Sequence, residues 1–290
     1  MILAHHLDIQ GRAAFVQEGR PEQPNGVTLW AVHTAGQSGV QWRDTIRGLT
    51  DLGYQVLVPD LPGHGHSEPA SGGVVDDISE YGHWSAEVLD ALAEVIGGNR
   101  VVVVGCSIGG KIAQDMAVRH GERLAAAVSM CAEPGPGRVK LHALQRELED
   151  SAAPARRDRT YYGTRAVVGR KVSPERTELI ATMHCREDAI IATSDLIGWG
   201  RHDARDLLPG LTCPVTFVAG EDDLWVDATQ VEAGAATAPN SHYEFLAGYG
   251  HYPMEEMPDF VPTLHRWITR MLPDLATTGA PSAPAPGGTS

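Results

Sequence analysis

Several things are scarce or missing in this 290-residue chain, and each absence narrows the reading. Its four cysteines, Cys106, Cys131, Cys185 and Cys213, form no C-x-x-C pair and give no disulfide framework. We read them as reduced, buried thiols in a cytoplasmic protein. Basic residues are few: 23 Lys and Arg against 37 Asp and Glu, a formal charge of −14. Such a chain repels phosphate backbones, which argues against a nucleic-acid partner. No run approaches 18 apolar residues, so no segment reads as a membrane span, and the opening MILAHHLDIQGR lacks the pattern of a secretory leader. There is no internal repeat, and neither G-x-x-x-x-G-K-[ST] nor G-x-G-x-x-G occurs, so no nucleotide-binding loop is expected.

What remains is an ordinary globular composition, 42% hydrophobic and 21% charged. Short β-rich runs alternate with helical stretches. The expected strands are Ile2–Ile9, Ala13–Glu18, Val27–His33, Gln55–Pro59, Val101–Gly105, Ala125–Met130, Val215–Ala219 and His242–Leu246. VLVP, VVVVG and VTFVAG are apolar without alternation, as in strands buried on both faces of a parallel sheet. The first two runs are close enough to form an antiparallel edge hairpin. Helices are expected over Ser79–Ile96, Ile108–His120 and Met257–Met271. The fold class is therefore α/β, a mostly parallel eight-stranded sheet flanked by helices.

Residues 134–206 break the rhythm, with helix-like pieces and no convincing strand. They carry a net charge of +2 while the rest of the chain carries −16. Ser173-Pro174-Glu175 reads as an N-cap followed by proline at the first helical position. We expect a helical cap inserted between strands 6 and 7, a core made of 1–133 and 207–272, and a disordered Pro/Ala/Gly/Ser/Thr-rich tail over 273–290.

The sharpest chemical signal is Gly105-Cys106-Ser107-Ile108-Gly109. It fits G-x-S-x-G directly after an apolar strand and at the start of a helix, the context of a nucleophile elbow. A serine there stands at a helix N-terminus, where backbone N–H groups and the helix dipole favour developing negative charge. Serine is a weak nucleophile and needs a base, which in turn needs an orienting acid. The strand Val215–Ala219 leads into Gly220-Glu221-Asp222-Asp223, and His242–Leu246 leads into Ala247-Gly248-Tyr249-Gly250-His251. Serine, acid and histidine thus follow three strand ends, at the sheet edge where open α/β folds bind ligands.

These segments, with His33-Thr34-Ala35-Gly36, the run Asp60 to Ser67 (DLPGHGHS), and Glu255 or Glu256 after Gly250-His251, resemble the α/β-hydrolase fold superfamily from about residue 10 to residue 272. The resemblance implies Ser107 as nucleophile, His251 as base and Asp223 as acid. Asp222 is the runner-up acid, and Glu133, just after the sixth strand, a second alternative whose plainer reading is a solvated residue. It also implies an oxyanion hole built from the backbone N–H groups of Ile108 and Ala35. The sequence departs from the superfamily where the usual His-Gly is His33-Thr34, because a Cβ at position 34 restricts the loop's backbone. His33, Tyr161, Tyr162, Met183, His184 and Trp199 are candidate pocket walls. His33 reads first as a loop brace, and Cys106 as structural.

His64 and His66 have no evident third ligand, so no metal is expected. No cofactor is expected either. Arg156, Arg157 and Arg159 form a basic cluster, read as a solvated cap face or as a steering element for anions. The implied activity is a cofactor-free serine hydrolase acting on a small to medium ester or lactone through an acyl-enzyme. A carbon–carbon bond hydrolase is the alternative, disfavoured by Cys106 where many such enzymes carry Asn. A ligand-binding receptor on the same fold is an alternative of another class, disfavoured by the complete Ser/Asp/His set. The expected partner is a small-molecule substrate; a homo-oligomer is left open.

Overall fold

The structure is a computed structural model, and it describes residues 1–149 and 156–275. Eight strands form one sheet in the order β1-β2-β4-β3-β5-β6-β7-β8. They are β1 (Ile2–Ile9), β2 (Arg12–Gly19), β3 (Val27–Val32), β4 (Gln55–Asp60), β5 (Arg100–Cys106), β6 (Ala126–Met130), β7 (Val215–Gly220) and β8 (Ser241–Leu246). β1 pairs antiparallel with β2, and β2 antiparallel with β4; every later pairing is parallel. The expected hairpin and parallel body are both present.

The helices in chain order are α1 (Ile46–Asp51), α2 (Ile78–Ala91), α3 (Ala93–Ile96), α4 (Ile108–Arg119), α5 (Leu141–Glu149), α6 (Arg156–Val167), α7 (Pro174–His184), α8 (Ala189–Arg201), α9 (Ala228–Thr237), α10 (Pro253–Glu256) and α11 (Phe260–Met271). β3, β4, β6 and β7 are buried along their whole length. Their alternate side chains feed two cores. On one face Trp30, Val103 and Phe217 pack with Leu89 of α2, Ile112 of α4 and Val231 of α9. On the other, Leu29, Val102 and Val218 pack with Leu49 of α1 and Leu264 and Trp267 of α11. Strands enclosed in this way need no polar alternation.

The helical periodicity over 79–96 breaks at Leu92, leaving α2 and the short α3. The last helix starts at Phe260 rather than Met257, because Pro258 holds Met257 extended (φ −88°, ψ 119°). Helices α5 to α8 fall between β6 and β7, and the 134–206 stretch has no strand among its described residues. Ser173 caps α7 by accepting the Arg176 N–H at 3.2 Å, with Pro174 in the first turn. Of the tail expected to be disordered, Pro273–Leu275 instead packs on the body. Leu275 is buried in the second core and Asp274 pairs with Arg100 at 2.9 Å. The remainder, 276–290, lies outside the described residues. No helix among the described residues is long and apolar enough to cross a membrane.

His202, just after α8, is buried, and its Nε2 has no partner among the described residues. Burial pushes its pKa down to about 4, with Lys111 and Arg119 acting in the same sense and Asp115 and Asp77 opposing. The unfolded chain therefore binds this proton more readily than the folded one. Stability should fall as pH drops from 6.5 toward 4, by on the order of 3 kcal/mol for this group, and level off below that. Urea unfolding between pH 7 and pH 4 should show the loss. His202→Leu should flatten it, and an unchanged slope in that variant would remove His202 from the account.

Candidate active site

β5 runs into α4 through Ser107, whose backbone sits at φ +58°, ψ −119°. A non-glycine residue in that region stores roughly 1–3 kcal/mol of strain. Ser107 N–H donates to Met130 O of β6 at 2.9 Å, and Lys111 N–H donates to Ser107 O at 3.0 Å, so both neighbours hold the turn. Its tightness requires glycine at two places. A Cβ on Gly105 would lie 2.0 Å from Gly109 O, and one on Gly109 would lie 2.6 Å from Val32 O.

At the end of β7, Asp223 Oδ1 accepts the N–H groups of Trp225 (2.9 Å) and Val226 (3.2 Å), which fixes the carboxylate. Its Oδ2 accepts from His251 Nδ1 at 2.6 Å, with both side chains buried. The His251 loop is held from below. Glu256 Oε2 accepts from Gly250 N–H (2.6 Å) and Gly169 N–H (3.0 Å), Glu256 Oε1 accepts from Tyr252 N–H (2.9 Å), and Cys106 Sγ donates to His251 O at 3.0 Å. With Nδ1 donating to Asp223, Nε2 is the nitrogen left to act, and it has no partner among the described residues. Ser107 and His251 border one cavity of about 330 Å³. No hydrogen bond joins their side chains in this state; contacts of this kind commonly tighten only when substrate is bound.

The Thr34–Gly36 loop lies opposite. Thr34 N–H donates to Gln41 Oε1 at 2.9 Å and Gly36 N–H to Asp195 Oδ2 at 2.8 Å. Between them, the Ala35 N–H has no partner among the described residues, nor has the Ile108 N–H at the start of α4. Thr34 and Ala35 both border the cavity. The side chain at position 34, where glycine was expected, is absorbed: Gln41 Nε2 donates to Thr34 Oγ1 at 3.1 Å.

Of the six candidate wall residues, His184 and Trp199 line the cavity and the other four do not. His33 is fully buried as a brace, its Nδ1–H donating to Thr34 O (2.9 Å) and its Nε2 accepting from Leu61 N–H (3.1 Å). Burial and the neighbouring His64 push its pKa down to about 4, so it stays neutral. Tyr161 and Tyr162 miss because α6 turns Thr160 and Thr164, four residues apart, toward the cavity. Tyr161 instead donates to Glu178, and Tyr162 is exposed. Met183 borders a separate cleft with His64 and Arg186.

Asp222 makes an ion pair with Arg170 and accepts its backbone N–H at 2.7 Å, away from His251. Glu133 is not the solvated residue expected. It is buried, makes no hydrogen bond to His251, and burial raises its pKa against the pull of Lys111. Arg156 and Arg159 border the cavity, but both pair with Glu147, and Arg156 also with Glu187; Arg157 is exposed. Sequence reasoning missed Trp225, whose ring meets His251 edge-on at 4.8 Å, and Tyr252, at 4.9 Å. Tyr252 follows His251 directly and Trp225 lies two residues after Asp223, which was the available signal.

A family model described as "Alpha/beta hydrolase family" matches residues 31–262. The chain is 29% identical over 130 residues to a pimeloyl-[acyl-carrier protein] methyl ester esterase of Vibrio atlanticus, covering 45% of this chain and 46% of that protein. It is 25% identical over 263 residues to the protein of the same name from Nitrosospira multiformis, covering 82% and 94%. The match thus spans less than half the length of the Vibrio relative. Among solved structures, a thermophilic esterase from Thermogutta terrifontis superposes with a TM-score of 0.78 at 21% identity, covering 93% of this chain and 99% of that one.

The geometry separates the two aspartates. Asp223→Asn should lower kcat by about 10⁴-fold, because an amide facing Nδ1 holds the wrong tautomer. Asp222→Asn should stay within about 3-fold of wild type, since surface ion pairs contribute little. Steady-state kinetics on a p-nitrophenyl ester decides; the reverse ranking would transfer the role to Asp222.

Proposed function

Because the chain belongs to the alpha/beta hydrolase family, we propose that it is a cofactor-free serine hydrolase of small to medium carboxylic esters, lactones included. The observation that carries the reading is the 2.6 Å Asp223–His251 contact beside a serine held at a strained strand-to-helix turn in the same cavity. Ser107 Oγ attacks the carbonyl carbon as its proton passes to His251 Nε2. Asp223 holds the tautomer and stabilises the imidazolium. The N–H groups of Ala35 and Ile108 take the oxyanion. The tetrahedral intermediate collapses as His251 protonates the leaving alcohol, and water deprotonated by His251 then releases the acid and restores Ser107.

Helices α5 to α8 serve as the cap. Val139, Leu144, Leu196, Trp199, Leu224 and Trp225 give the cavity an apolar lining, which suits an acyl chain better than a polymer. The relatives named as methyl ester esterases support an ester over a carbon–carbon bond as the scissile linkage. The four free cysteines, three buried as expected and Cys185 only half-buried on the insertion, are consistent with a reducing, cytoplasmic setting.

A fluorophosphonate probe should label Ser107 in the wild type and leave Ser107→Ala unlabelled, as read by peptide mass mapping. The same variant should lose roughly 10⁴-fold or more in kcat. A folded wild type that resists the probe would overturn the serine-hydrolase reading in favour of a binding protein. Faster turnover of a vinylogous diketone than of any ester or lactone would move the activity to carbon–carbon cleavage.

A further inference from the structure

Asp195 lies in the middle of α8, fully buried, and takes no part in the steps above. It nevertheless collects three donors from three separate parts of the core. Oδ2 accepts from Gly36 N–H at 2.8 Å and from His64 Nε2–H at 2.9 Å, and Oδ1 accepts from Tyr81 OH of α2 at 2.6 Å. His64 Nδ1 faces Pro62 O at 3.1 Å, so both imidazole nitrogens point at acceptors and the ring is held as a double donor, the imidazolium. The pair is thus a buried ion pair with further hydrogen bonds, the arrangement in which burying charge is tolerated. Consistently, burial opposes protonation of His64, but the Asp195 charge together with the hydrogen bonds to Asp195 and to the backbone of Pro62 and Leu61 outweighs it and raises its pKa.

The placement has a consequence for the loop beside Ser107. Gly36 follows Ala35 directly, and Gln41 already fixes the N–H of Thr34 on the other side. Asp195 supplies the second anchor, leaving the Ala35 N–H as the free donor between two tied neighbours. Gly36 sits at φ +66°, and a Cβ there would lie 2.6 Å from Ala192 Cβ of the same helix, so α8 and the loop are in close contact.

We propose that Asp195 is a positioning residue: through the Gly36 N–H it sets the oxyanion donor Ala35, so that the donor is in place only when α8 is seated on the core. This rests on the serine-hydrolase reading above. The helical insertion would then complete the catalytic machinery as well as wall the pocket.

The test compares two inhibitors as well as turnover. A trifluoromethyl ketone adds Ser107 Oγ to its carbonyl, passes the proton to His251 and leaves a charged oxygen in the oxyanion hole; the matching methyl ketone binds as a ground-state ligand. For Asp195→Ala, kcat should fall roughly 10- to 100-fold with KM within about 3-fold, the size expected when a reacting group is displaced by about an ångström. Trifluoromethyl ketone affinity should fall in parallel with kcat/KM, while methyl ketone affinity stays within about 3-fold. A purely structural role would lower the melting temperature, or weaken both ketones equally, without that split, and would overturn the proposal.

Should Asp195→Ala fail to fold, Asp195→Asn is read on the same ratio. Its neutral carbonyl holds the Gly36 N–H less strongly than a carboxylate does, so about a 3- to 10-fold selective loss is expected, and wild-type values would overturn the proposal. Fluorophosphonate labelling of wild-type Ser107 separates the two failures. Absent labelling sinks the hydrolase reading itself, whereas normal labelling with unaltered ketone discrimination sinks only the role of Asp195.

Discussion

The turn at Ser107 sets the terms for its surroundings. To reverse from strand to helix within one residue, the chain accepts a positive φ at serine and brings Gly105 and Gly109 nearly into contact. Such a conformation survives only where the neighbours over-determine it. Here β6 takes the serine N–H, α4 takes its carbonyl, and Val32 at the end of β3 closes against Gly109. The same closeness leaves the Ile108 N–H at the mouth of α4 and lays the Thr34–Gly36 loop beside it. Backbone strain at one position thus brings the hydroxyl and two N–H donors to one end of the sheet.

Around this turn the ionisable groups are sorted by what each nitrogen or oxygen faces. His33 has one donor and one acceptor role already filled and is buried neutral; His64, beside it at 4.7 Å between ring centroids, faces two acceptors and is charged. His251 is oriented by a carboxylate whose second oxygen is occupied by two backbone N–H groups. Three buried histidines, two of them in ring contact, are thereby given different hydrogen-bonding roles by their contacts alone, the kind of division on which acid–base chemistry depends.

What could be read in the sequence follows from how local each requirement is. The elbow is legible because its glycines answer to contacts within five residues and the flanking VVVV run marks a doubly covered strand. Asp223 and His251 are legible because strand ends fall at predictable places. The pocket walls were not: whether Thr160 or Tyr161 faces the cavity depends on the rotation of α6 against the core, and no pattern within that polar helix fixes it. Asp195 was invisible for a related reason. An acidic residue in a helix reads as a solvated face unless its partners are known, and Gly36, His64 and Tyr81 are more than a hundred residues away in sequence. Glu133 shows the converse, an acid read as solvated that the fold buries.

The inserted helices touch the loops around Ser107 and His251 at a second place. Gly169, just beyond α6, shares Glu256 with Gly250, and the His251 N–H donates to Val167 O at 2.9 Å. A Cβ on Gly250 would lie 1.9 Å from that same carbonyl. The insertion is therefore stitched to the core beside His251 as well as beside the Thr34–Gly36 loop, and it is not an interchangeable accessory. A chimera that borrowed foreign helices for residues 134–206 would inherit a new pocket together with two untethered loops. Retuning this scaffold for other substrates is accordingly better attempted by changing cavity-facing side chains within the existing helices than by swapping them wholesale.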